Sequence, residues 1–345
     1  RQGLYMIIEK KDSDNFQNRR VDPDLIIKGG TVITMSGDME PIRDAAVFVT
    51  DGIITDIREI NVNDHFPDLK AEIIDAHDAI IMPGLINAHS HTAMTVFRGI
   101  ADDLPLKKWL FEKIFPAEAR FLNPDTVYWG ALLGCLEMIS SGTTCLADGY
   151  FFQDSTVQAV HESGLRALIA QGVIDFPAPG VDDPRKNLET AQKFIEKWIG
   201  FSDLITPGIF CHSPVTCSRQ TLTGAFKISR NFGLPLQIHL SETSEEVNEI
   251  MKQEGVRPVH YLDRIGLLDS SLIAAHSIHL DPGEMEILSK KGVRIAHVPE
   301  SNMKLCVGTA RVSKMAGMGL DIGLGTDGCA SNNNLDLFQV MDIAA

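Results

Sequence analysis

His89 and His91 are separated by one residue at the end of the apolar run PGLINAHSHTAM, residues 83–94. Side chains at i and i+2 of a strand project to the same side, so the two imidazoles would aim at one point while Ser90 faces away. That is a chelating arrangement. His212 in FCHSP, His239 and Glu242 in IHLSE, His276 in AAHSIHL and Asp327 in GTDG each stand at the end of a further apolar run. Three imidazoles and a carboxylate with one open position suit a catalytic Zn²⁺ or Fe²⁺, because closed structural zinc sites favour thiolates and leave no room for water. His89, His91, His239 and Asp327 are therefore expected as ligands of one divalent ion, with zinc the first expectation. Such an ion lowers the pKa of a bound water from ~15.7 to roughly 7 and supplies hydroxide at neutral pH. Glu242, three residues after His239, is close enough to shuttle a proton without competing for the ion, a role worth ~10²–10⁴-fold in rate. His276 and Asp327 are expected to orient the water.

Simpler readings compete at each position. A lone histidine in an apolar strand is most often a satisfied core residue, and Asp327 alone could cap the following helix. Two adjacent inward imidazoles, however, are costly to bury without partners. His279 and His297 are expected as packing or supporting residues, and His65, His77, His161 and His260 as surface or domain-contact residues. GLGTDG (323–328) matches GxGxxG only formally, since no ribose-binding acid follows about 20 residues later. HExxH, Walker A and HxE…PCxxC patterns are absent.

Positioning these residues requires a scaffold of many strands. From about residue 79, eight β-type runs alternate with helical stretches: IIMPGLINAH, GTTCLADGY, RALIAQGVID, LITPGIFCHSP, LPLQIHLSE, SLIAAHSIHL, GVRIAHVPE and DIGLGTDG. Eight such units predict an α/β fold of the (β/α)₈ TIM-barrel type, whose active site lies at the C-terminal strand ends where the polar residues fall. NLETAQKFIEKWIG and VNEIMKQEG have helical spacing with charged outer positions. From 24 to 76, short β runs punctuated by Gly-Gly and Asp-Gly predict a small antiparallel sheet. The expected division is an N-terminal extension over 1–20, a small β domain over 21–78 and the barrel over 79–345.

The chain has 345 residues, 44% of them apolar, and a net charge of −15. An acidic surface disfavours nucleic acid, which is bound by Lys and Arg displacing counterions. Six cysteines without a CxxC pair, no glycosylation sequon and no apolar leader or membrane segment point to a cytoplasmic enzyme with a small-molecule substrate.

Taken together, PGLINAHSH, IHLSET, AAHSIHL, HVPESNMKL and GTDGCASNN resemble the amidohydrolase superfamily, specifically the methylthioadenosine/S-adenosylhomocysteine deaminase group, from about residue 24 to the end. The dinuclear members use a carboxylated lysine on the fourth strand where His212 stands here, so the resemblance implies one metal ion. It also implies homo-oligomers and hydrolytic deamination of an adenosine-type nucleoside to the inosine analogue, with attack at purine C6 and protonation of N1 by Glu242. Glu118 in FPAEARF is similar to the glutamate that holds ribose hydroxyls, and Arg185 and His212 match further substrate contacts. Gln171 stands where some relatives have an arginine facing the homocysteine carboxylate, which shifts the expectation towards methylthioadenosine or another adenosine. Relatives continue past Ala345 and complete a small β-sandwich domain, so a truncated chain with that domain only partly present is expected. The same centre is chemically able to hydrolyse guanine, pterin, cytosine or chlorotriazine, and a non-catalytic scaffold is the third reading.

Overall fold

Asp51 and Gly52 both take positive φ, 50° and 74°, the backbone of a two-residue hairpin loop whose twist matches the flanking strands. They join β2 (Ile42–Thr50) to β3 (Ile53–Glu59), with Thr50 paired to Ile53. The computed structural model describes residues 22–36, 40–61, 64, 66 and 70–345. The extension expected over 1–20, and His65, lie outside the described residues.

β1 (Leu25–Val32) pairs antiparallel with β2, whereas β4 (Glu72–Asp75) and β5 (Ile80–Ile81) both run parallel to β1. The five-stranded sheet is thus mixed and not purely antiparallel. β4 lies on the edge of β1 opposite β2, so the two parallel strands are not joined by a tight hairpin. Ile26, Ala46 and Phe48 are buried on one face, and Val32, Ala45 and Val47 on the other. Ile80 and Ile81, expected at the start of the first barrel strand, belong instead to this sheet opposite Thr31 and Val32. Pro83, which has no N–H to give a ladder, separates them from the strand that follows. The chain divides into two compact units, Arg1–Pro83 and Gly84–Ala345.

The second unit carries β6 (Leu85–His91), β7 (Thr143–Tyr150), β8 (Arg166–Val173), β9 (Ile205–Cys211), β10 (Leu236–Leu240), β11 (Leu272–His276), β12 (Arg294–His297), β13 (Ile322–Leu324) and β14 (Asp327–Gly328). All pair in parallel, in the order β13-β12-β11-β10-β9-β8-β7-β6-β14. The two ends of that path, β13 and β14, are consecutive halves of one chain segment, one on β12 and the other on β6. The ladder therefore closes on itself as the eight-stranded barrel the runs predicted. Every residue of β10 is buried, as expected of a strand covered by helices outside and by side chains within. Its alternation sends Leu236, Ile238 and Leu240 into the apolar core and leaves Gln237 and His239 for the other face.

Helices Asn187–Trp198 and Ser244–Glu254 form where helical spacing predicted them. The first buries Ala191, Phe194, Ile195 and Trp198, a stripe of i, i+3, i+4 and i+7 positions. Between β13 and β14, Gly325 lets two backbones meet, because a Cβ there would lie 2.8 Å from both the N and the O of His89. Among the described residues, no helix is long and apolar enough to cross a membrane.

Candidate active site

The chemistry-bearing side chains stand where the barrel strands end. His89 and His91 close β6, His239 is the fourth residue of β10, His276 ends β11 and Asp327 opens β14. Ser241, His276 and Asp327 hold φ of 50°, 65° and 61°. Left-handed backbone at a non-glycine residue costs of order 1–3 kcal/mol and persists only where its surroundings over-determine it. Here it falls at the ends of β10 and β11 and at the start of β14.

Four donors converge. His89 Nε2 lies 3.2 Å from His239 Nε2 and 3.5 Å from Asp327 Oδ1, and His91 Nε2 lies 3.2 Å from the same carboxylate oxygen. One ligand atom from each of His89, His91, His239 and Asp327 falls within 4.8 Å of all the others, and all four residues are buried. Ser90 points the other way, its hydroxyl bonding the Ala147 carbonyl and Asp148 Oδ2 at 3.0 and 3.2 Å. Burial takes His89 down to about 4, against the pull of Asp327, and holds His239 well below the usual histidine range. Burial also opposes protonation of His91, but Asp327, Asp148 and the Gly149 carbonyl outweigh it and raise that ring. Asp327 is held well below the carboxylate range despite burial by its contacts to His89 and His91. The neutral His89 and His239 beside the ionised Asp327 are donors a borderline divalent cation takes, and such a cation would displace the extra proton that Asp327 favours on His91. The Gly149 carbonyl can only accept, so His91 Nδ1 carries the proton and Nε2 presents its lone pair to the cluster.

Beside this cluster, Glu242 Oε2 stands 3.7 Å from His276 Nε2. Burial raises the Glu242 carboxyl, with His276 opposing. His276 Nδ1 lies 2.9 Å from Asn302 Oδ1, an acceptor, which leaves Nε2 facing Glu242. The cavity above is walled by Leu106, Trp109, Phe115, Phe151 and Phe210, and His212, Glu118, Glu242 and Asp327 also line it. His212 stacks edge-on 5.3 Å from His239 and its Nδ1 meets Thr216 Oγ1 at 2.8 Å. Desolvation takes it to about 3.

Glu118 is presented by helix Phe115–Phe121, which continues the π-helical turn Trp109–Ile114 over the barrel mouth. It is 3% exposed, and Tyr150 donates a 2.6 Å hydrogen bond to its Oε1. Arg185 is not brought in. Its side chain is 89% exposed, paired with Asp183, and lines neither this cavity nor the adjoining one. Gln171 is buried, with its Oε1 3.4 Å from the Gln153 N–H. His279 bonds the Val307 carbonyl, His297 is buried beside the site, and His77, His161 and His260 are exposed.

Several residues of the site escaped the sequence reading. Ser301 and Ser331 donate to Asp327 Oδ2 at 2.6 and 2.9 Å, so Oδ1 alone is left for the histidines. Asp148 accepts the Thr92 N–H, the Gln153 amide and the Ser90 hydroxyl, and so braces the end of β6. Hydroxyls and amides at these positions carry no local spacing signal. Ser301 lies in HVPESNMKL and Ser331 in GTDGCASNN, motifs whose histidine and Asp327 carried the signal instead, and Asp148 lies in GTTCLADGY.

The family model for the amidohydrolase family matches residues 80–345. This chain belongs to the amidohydrolase family. Within it, the chain is 43% identical over 321 residues to a protein of Thermodesulfovibrio yellowstonii named 5-methylthioadenosine/S-adenosylhomocysteine deaminase, covering 93% of this chain and 73% of the relative. It is 44% identical over 323 residues to a 5′-deoxyadenosine deaminase of Methanopyrus kandleri, with the same coverage of both. Among solved amidohydrolase folds, an adenosine deaminase from Xanthomonas campestris with bound zinc superposes with a TM-score of 0.85 at 33% identity, covering 93% of this chain and 73% of that one.

Proposed function

We propose that this protein is a hydrolytic deaminase of adenosine-type nucleosides, releasing ammonia and the inosine analogue. The observation that carries the reading is the placement of the Glu242–His276 pair against the His89, His91, His239 and Asp327 cluster, inside an apolar slot. Those four residues would hold one divalent cation, with Zn²⁺ the first candidate and Fe²⁺ the second. When bound, the ion supplies the Lewis acidity that makes water nucleophilic near neutral pH.

The chain's own groups do the rest. Ser301 and Ser331 fix Asp327, and Asn302 fixes His276 so that its Nε2 can orient water. Glu242 takes a proton from water and carries it to purine N1 as the water oxygen bonds to C6; the remaining hydroxyl proton then passes to the amino group, and the C6–N bond breaks with ammonia as the leaving group and a carbonyl at C6. The walls of Phe115, Phe151 and Phe210 suit a flat ring. Glu118, buried and able to accept, would take ribose hydroxyls. Among the described residues, no Lys or Arg lines either cavity, so a homocysteine carboxylate would meet no cation from them. Methylthioadenosine, 5′-deoxyadenosine and adenosine fit that lining better.

An ammonia-release panel on zinc-loaded protein tests the reading. Turnover of those three nucleosides supports it, whereas turnover confined to guanine, cytosine or a chlorotriazine overturns it. Exposed Trp129, Leu133 and Leu136 on one helix face and the unpaired cysteines support a homo-oligomer in the cytoplasm, which light scattering and cell fractionation test.

A further inference from the structure

Glu246 is a buried carboxylate beside the site that the chemistry above leaves unused. It is the third residue of helix Ser244–Glu254, and its own N–H is accepted by the cap residue Thr243 at 3.0 Å. With threonine at the cap and glutamate at the third position, a capping box would turn the carboxylate back onto the cap's N–H. Glu246 does otherwise. Oε1 accepts from the Ser241 N–H at 2.7 Å, and Oε2 accepts from the Glu242 N–H at 2.9 Å. Both oxygens are therefore committed to the two peptide units that lead from β10, with His239, to Glu242.

That turn has little freedom elsewhere. Ser241 takes φ of 50°, and its carbonyl accepts from the Ile278 and His279 N–H groups at 3.1 and 2.9 Å. The Leu240 carbonyl accepts from the Ser277 N–H at 2.9 Å. The carbonyl side is thus tied to the segment that follows His276, and the N–H side is tied to Glu246. Two successive N–H groups converging on one carboxylate form an anion-holding concavity. The clamp holds the backbone N–H of Glu242, whose Oε2 stands 3.7 Å from His276 Nε2.

We propose that Glu246 is a positioning residue for the deamination, acting through Glu242. The proposal rests on the deaminase reading above. It predicts that Glu246 matters to turnover only while Glu242 is present to be positioned. In Glu246→Gln one oxygen remains to accept, but an amide N–H faces the second backbone donor, so the clamp is half released.

The test is a double-mutant cycle with E242Q, E246Q and E242Q/E246Q, reading kcat, KM and bound metal on the nucleoside turned over best. E246Q is expected to lower kcat about 10- to 100-fold, with KM within about 3-fold of wild type and a full metal equivalent. In the E242Q background the same change is expected to cost less than about 2-fold. An equal loss in both backgrounds, or an unchanged kcat in E246Q, overturns the proposal. A crystal structure of E246Q supplies a readout that does not depend on activity: the Glu242 carboxyl should leave its wild-type position near His276, and an unmoved carboxyl overturns the clamp. If wild type deaminates no nucleoside, the functional reading falls and the crystal structure still judges the clamp. Should E246Q fail to fold, E246D, which keeps the charge but draws both oxygens back, takes its place.

Discussion

Asn87 and Thr326, 239 residues apart in the chain, exchange two buried hydrogen bonds: Asn87 Nδ2 donates to Thr326 Oγ1 at 2.8 Å, and the Thr326 N–H donates to Asn87 Oδ1 at 3.1 Å. They join the first barrel strand to the last, at the point where the ladder closes. Asn87→Ala would strand the Thr326 amide in the interior, and a lost buried partner costs about 1–3 kcal/mol per orphaned group. A drop of about 2–4 kcal/mol is expected in urea unfolding, seen as a lower midpoint at unchanged slope. An unmoved midpoint would mean that packing alone closes the barrel.

Asp327 meets Ser301 and Ser331 through one oxygen and the histidines through the other. Replacing both serines with alanine leaves the carboxylate free to rotate. Partners that orient a metal ligand are typically worth 10–100-fold in affinity. Chelator competition should show weaker zinc binding by about that factor in the double variant, while His89→Ala abolishes stoichiometric binding.

Glu242→Gln keeps the shape of the side chain and removes its proton chemistry. Metal content by mass spectrometry should stay at the wild-type value, and kcat should fall by ~10²–10⁴. Wild-type turnover in this variant would remove Glu242 from the acid–base role.

Burial lifts the Glu118 carboxyl from 4.5 to about 7, against the Tyr150 hydrogen bond. A folded pKa above the unfolded one means that the native state holds the proton more tightly. The resulting stability is fully present below about pH 4.5 and is lost as pH rises through 7. At 1.36 kcal/mol per unit, the 2.5-unit difference amounts to about 3 kcal/mol. Glu118→Gln has no such titration and still accepts from Tyr150. It should gain up to that amount over wild type at pH 8 and nothing at pH 4.5, while KM for nucleosides rises. Parallel unfolding curves for the two proteins across this range would show that the buried carboxyl does not titrate with folding.

Gly325→Ala places a methyl group 2.8 Å from the His89 backbone, closer than atoms in a packed core tolerate. The eighth strand must move away from β6. Loss of bound zinc is expected together with lower thermal stability, and full zinc occupancy would show that the backbone yields without disturbing the ligands.

The parts of the site legible in the sequence are those governed by short-range periodicity. The i, i+2 spacing of His89 and His91 gives a shared side on any strand, and Glu242 lies near His239 because only three residues separate them. Eight apolar runs ending in polar residues told the barrel from other α/β folds. The parallel pairing of Ile80 and Ile81 with β1 was not legible, since an apolar dipeptide before a proline fits either sheet. Neither was the exclusion of Arg185, whose pairing with Asp183 at the surface depends on where the loop runs.

By itself, the sequence determined the element types, the count of strands and which side chains stand at strand ends, because backbone period and turn chemistry act over a few residues. Only the tertiary structure decided which oxygen of Asp327 faces the histidines, that Asn302 holds His276 and that Glu246 clamps the turn before Glu242. Those bonds form between segments that chain closure brings together, and hydroxyls, amides and carboxylates acquire such partners from packing, not from their spacing in the chain.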